Sequence, residues 1–125
     1  MKTWDDWSDF EVNKAVANIV REPWINMSKK EESESALHII DCNGGYGMRK
    51  HSYVDYCNSS SDMWPIMISE EIIVGPSSEY KKHMAIGAAV IDEDCNICSD
   101  NIIYYHTNPL RAVAIVFLEM NGVRP

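Results

Sequence analysis

His106, Thr107, Asn108 and Arg111 crowd one short stretch near the C-terminal end of the chain. They fall where a helix should begin. The Asn108 side-chain oxygen can accept from a free backbone N–H of the first turn. Pro109 suits the first helical position, where its missing N–H costs nothing. Polar side chains at the positive end of a helix dipole can hold an anion or a hydrogen-bonding ligand. Trp64, at a second predicted helix start beside Asp62, offers a face on which a base could stack or a protein could anchor. His106, Asn108, Arg111, Trp64 and Asp62 are therefore the candidate ligand-binding residues. The plainer alternative is a capped core helix with an exposed arginine, and a tryptophan that packs inside.

Other groupings carry less. Cys95-Asn96-Ile97-Cys98 is a C-x-x-C, and a structural zinc would need two further ligands. Cys42, Cys57, His83 and His106 are available but are not paired at finger-like spacing. No metal or cofactor is assigned. The four histidines, His38, His51, His83 and His106, are scattered, and no Ser-His-Asp set, HExxH or phosphate loop is present. Asn43-Gly44-Gly45-Tyr46-Gly47 reads as a tight turn. The Asp5-Asp6 and Asp92-Glu93-Asp94 clusters lack the ordered spacing of a calcium loop. Asp92, Glu93 and Asp94 are instead candidate interaction residues. With no nucleophile–base pair to name, the expectation is a binding protein, not an enzyme.

A chain of 125 residues is expected to make one domain, residues 1–125. Its formal net charge of −8 argues against direct binding to nucleic-acid backbone and suits docking on a basic surface. No apolar run approaches the roughly 20 residues that span a bilayer. Met1 to Trp7 is acidic and lacks a secretory core, so the expected setting is the cytoplasm, with reduced thiols and no membrane partner.

The elements that must position these residues follow from pattern. Ser8-Asp9-Phe10-Glu11 is a capping box. Val12, Ala15, Val16, Ile19 and Val20 then recur at helical spacing, which predicts a helix from Asp9 to Arg21 with Asn13 off the apolar stripe. Residues 25–35 lack periodicity and read as a mobile loop. Strands are expected at Ala36–Cys42, at Tyr46–Tyr56 with Ser52–Tyr56 its best part, at His83–Ile91 and at Ile102–Tyr105. The small residues of the third would suit close packing under a helix. A helix from Met63 to Glu70 is expected, with Asp62 as N-cap and Pro65 within the first turn. Ile72-Ile73-Val74 can begin a strand, and Gly75-Pro76-Ser77-Ser78 reads as a loop. The last helix runs from Pro109 towards Gly122 and is apolar nearly all round, hence buried. The order α-β-β-α-β-β-α with hairpin-like links predicts an α+β domain whose antiparallel or mixed sheet carries helices packed on it.

Three segments together resemble a family. Ser8-Asp9-Phe10-Glu11-Val12-Asn13-Lys14, Met63-Trp64-Pro65-Ile66, and Asn108-Pro109-Leu110-Arg111-Ala112 with Ile115-Val116-Phe117-Leu118 look like the phage NinX-like proteins. These are small proteins of unassigned function carried by lambdoid and related phages. The element order is also similar to that of small phage domains described as α-β-α sandwiches. The resemblance implies an accessory protein in the cytoplasm of an infected bacterium, where such proteins often counter host defence.

Two functional expectations result. In the first, the chain binds and blocks a host defence protein, and its acidic surface occupies a basic site. In the second, it sequesters a small anionic nucleotide-derived signal at the mouth of the last helix. Whether copies of the chain associate with each other stays open.

Overall fold

The computed structural model describes residues 2–20, 26–29, 36–41, 50–77, 81–87 and 102–125. After a 3-10 turn at Trp4–Asp6 come helix α1 (Asp9–Val20), strands β1 (Asn26–Lys29), β2 (Leu37–Asp41) and β3 (Lys50–Val54), and helix α2 (Ser60–Glu70). Strands β4 (Ile73–Ser77), β5 (Lys82–Gly87) and β6 (Ile102–His106) follow, then helix α3 (Pro109–Met120). The domain is α+β, as expected. Its strands form two three-stranded antiparallel sheets, β1-β2-β3 and β4-β5-β6, where the sequence suggested one.

Helix α3 is the centre of the core. Every residue from Arg111 to Leu118 is buried. One side packs on β4, β5 and β6, and another meets α1 and α2. The fit over β5 is tight. A Cβ built on Gly87 would lie 2.8 Å from both Val116 Cγ1 and Met120 Sδ. Ala85, two residues earlier on the same face, is fully buried. The small residues of β5 therefore let α3 approach the sheet. The first sheet contributes Leu37, Ile39 and Val54 to the same core, and α1 contributes Val12, Val16 and Ala17.

The capping box of α1 forms as read: Ser8 N–H donates to Glu11 Oε1 and Glu11 N–H to Ser8 Oγ. Several expectations need correcting. Residues 26–29 of the expected mobile loop form a strand, because β2 supplies the hydrogen-bond partners that their polar sequence does not advertise. The remainder of 25–35 lies outside the described residues. Gly75, Pro76 and Ser77 belong to β4, not to a loop. As an edge strand, β4 tolerates a proline without an N–H. Helix α2 starts at Ser60 with Ser59 at its N-cap, so Asp62 is not the cap and Pro65 is the sixth helical residue. The apolar stripe leaves Asn13 outside it, yet Asn13 is fully buried on α1.

Candidate functional site

The starts of all three α-helices meet at one polar junction. Asp9 opens α1, Asn58 and Ser59 lead into α2, and Asn108 caps α3. Asn108 behaves as its type and position dictate. Its Oδ1 accepts from Leu110 N–H at 3.0 Å and Arg111 N–H at 3.3 Å. Its Nδ2 donates to the Cys57 carbonyl at 2.7 Å and to Asn58 Oδ1 at 3.2 Å, which locks α3 to the turn before α2. Asn58 Nδ2 in turn donates to Asp9 Oδ2 and to both carboxylate oxygens of Asp55. Asn13 completes the ring from α1: its Nδ2 donates to Asp55 Oδ1 at 2.8 Å and its Oδ1 accepts from Cys57 N–H at 2.9 Å.

Arg111 does not face an open mouth. Its side chain is 6% exposed. Nη1 donates to Asp9 Oδ1 at 2.6 Å, and Nη2 donates to the carbonyls of Trp4 and Trp7, both at 2.7 Å. The anion that the helix dipole and the guanidinium favour is thus supplied from within, by Asp9. Of the two alternatives for Arg111, a ligand or a carboxylate of its own fold, the described residues show it on the carboxylate. Trp4 adds a second tie to α3, its Nε1 donating to Glu119 Oε1 at 2.8 Å. Trp4 and Trp7 pack edge to face, with ring centres 5.0 Å apart.

The other candidates scatter. His106 ends β6, and its Nδ1 accepts from Asn108 N–H at 2.9 Å. Its ring lies parallel to that of Tyr104, with centres 6.4 Å apart. Burial lowers the His106 pKa, and the Arg111 charge lowers it further against the opposing pull of Asp5 and Asp9. Burial, with the negative charge of Asp5 next, raises that of Tyr104. Asp62 is a structural acceptor: its Oδ2 takes the Asp55 N–H at 2.9 Å, and this tertiary bond replaces the N-cap role. Trp64 points outward and is 58% exposed. It lines a shallow hollow of about 360 Å³ with Ser60, Ser61 and Pro65, and Arg111 is not part of that lining. His106, Asn108 and Arg111 are therefore brought together, Asp62 joins them through Asp55, and Trp64 stands apart.

Of the tyrosines, Tyr56 is core while Tyr53 stays exposed and stacks on His38, its partner across the β2–β3 ladder. Cys57 is a buried free thiol, and burial, with the charge of Asp9 next, pushes its pKa well up. Among the described residues no group of three or more His, Cys, Asp or Glu is placed to hold a metal ion. Asp92, Glu93, Asp94, Cys42, Cys95, Cys98 and residues 43–47, for which the sequence predicts a turn, lie outside the described residues.

Sequence reasoning missed Asn13, Asp55 and Asn58. For Asn13 a signal existed: it shares a helix face with Val16 and Ala17, three and four positions on. The three segments that carry the family resemblance contribute Asp9 and Asn13, Met63 in the core, and Asn108 and Arg111, so they supply much of the junction and its surroundings. Searches of family models, curated proteins and solved structures found no match to this chain. Among the described residues no helix is long and apolar enough to cross a membrane.

Proposed function

We propose that this chain is a non-catalytic phage accessory protein that docks on a host protein in the bacterial cytoplasm and blocks it. The observation that carries this reading is the outer face of the second sheet. Gly87 and Ala85 face α3, so Ile86 and Met84 face away. Ile86 pairs with Ile73 on one side and Ile103 on the other, which sets three isoleucines in a row across the sheet. Ile73 is 70% exposed and Ile103 43%. A sheet covered on one face normally alternates to polar side chains on the other. An apolar row there is a surface suited to a protein partner.

Trp64 and Ile68, one turn apart on α2 and both exposed, offer a second anchor of the kind that dominates interfaces. The net charge of −8 favours a partner with a basic surface. Capture of a small anion at the mouth of α3 loses its main support, because Arg111 is already paired with Asp9.

The test is retention of bacterial proteins by the immobilised chain, read by mass spectrometry and repeated with Ile73→Lys/Ile103→Lys and with Trp64→Ala. One host protein held by the parent and released by the isoleucine variant, at unchanged thermal stability, is the expected result. Equal retention by parent and both variants, or a bound small molecule with no protein, would count against the proposal.

A further inference from the structure

The β4–β5 hairpin reverses the sign of the molecule locally. Lys81, Lys82 and His83 are consecutive in a chain of net charge −8. With Pro76 and Ser77 they line a hollow of about 370 Å³. Neither lysine side chain forms an ion pair or hydrogen bond among the described residues. Both are exposed, so their ammonium groups remain available. Lys81 sits at φ 52, a left-handed backbone that a non-glycine residue adopts only where its surroundings hold it.

Ser77 and Lys82 are register partners, so the hydroxyl and the ammonium stem leave the ladder side by side. His83 is oriented from behind: its Nδ1 lies 3.2 Å from the Thr107 carbonyl. A carbonyl only accepts, so Nδ1 carries the proton, and Nε2 of the neutral ring is an acceptor, not a donor. The hollow thus offers an anion two ammonium groups and a hydroxyl, with the imidazole beside them. The Pro76 ring and the lysine stems add apolar surface.

We infer that this hollow binds the phosphate group of a small molecule. A phosphate dianion is rich in acceptors and carries its charge on a compact centre, which suits the two ammonium groups and the hydroxyl. The volume exceeds that of a bare phosphate and leaves space for part of the group that bears it.

The test is a titration of the full chain, ¹⁵N-labelled, at pH 7.5 and low salt, followed amide by amide. The probes are inorganic phosphate, adenosine monophosphate, adenosine, and potassium chloride at matched ionic strength. Saturable shifts centred on Ser77, Lys82 and His83 are expected with the two phosphates and not with adenosine or chloride. Lys81→Gln/Lys82→Gln should weaken binding by about tenfold or more, while Lys2→Gln/Lys14→Gln should leave it unchanged. Tighter binding of the nucleotide than of phosphate would identify a phosphorylated small molecule as the source. Equal affinities would identify the free ion, and would uphold the phosphate site while removing its carrier. Shifts that follow ionic strength alone, or a hairpin variant that binds like the parent, would overturn the inference.

Discussion

Replacing Arg111 by methionine separates an internal tie from a ligand-binding arginine, because the two roles predict opposite signs. The substitution removes the bonds to the Trp4 and Trp7 carbonyls and the pair with Asp9. Each carbonyl bond is charge-assisted and worth about 1.5 kcal/mol. The Asp9 side chain is 32% exposed, so solvent screens the ion pair and about 0.5–1 kcal/mol is its share. Methionine recovers about 1 kcal/mol by burying its own apolar surface. The net loss is about 3 kcal/mol. In urea, with a slope of about 2 kcal/mol/M, the midpoint should fall by about 1.5 M at unchanged slope. Asp9→Asn keeps an oxygen that can accept and should cost about 1 kcal/mol. The double variant should lose less than the sum of the two. If Arg111→Met matched the parent within about 0.5 kcal/mol, or exceeded it, the internal role would be refuted. A gain is what removal of a buried charge held ready for an outside anion would give.

Gly87→Ala should destabilise by about 1–3 kcal/mol and lower Tm by about 4 °C or more, since Met120 can swing aside but Val116 cannot without moving α3. A neutral result in differential scanning calorimetry would contradict the close approach. His106 has its pKa lowered in the folded state by burial and by Arg111, so the folded chain binds this proton less readily than the unfolded one. Its contribution is therefore fully present above about pH 6.5 and is lost as the pH falls below that value. Tm measured from pH 7.5 to 5 should show a steeper decline for the parent than for His106→Gln. Cys57, buried and with its thiol pKa pushed up, should resist iodoacetamide at pH 8 in the native protein and react on unfolding, as read by peptide mass spectrometry.

What could be read without coordinates was what is local. Asn108, Pro109 and the apolar run behind them set the start and the burial of α3, and Ser8 with Glu11 set the start of α1. The small residues of β5 signalled a helix overhead. What escaped depended on partners far away in the chain. Arg111 bonds to Asp9 across 102 positions, and nothing near either residue announces the other. Asp62 looked like an N-cap until Asp55 claimed its carboxylate. Residues 26–29 are polar but for Met27, and among the described residues their strand pairs with β2. Ile73, Ile86 and Ile103 look like ordinary strand residues, and only the register sets them in one exposed row.

The bonds from Trp4 and Trp7 to Arg111, and from Trp4 to Glu119, have a mechanical consequence. A load applied between Lys2 and Arg124 enters the molecule at the segment that these bonds fasten to α3. It cannot reach α1 or either sheet until they part. Under tension they act as a clamp of short links, and the force at which the chain begins to extend is set by the rate at which the clamp opens. A pulling trace should therefore show one early rupture before the sheets give way, at lower force in Arg111→Met, which keeps only the Trp4–Glu119 bond.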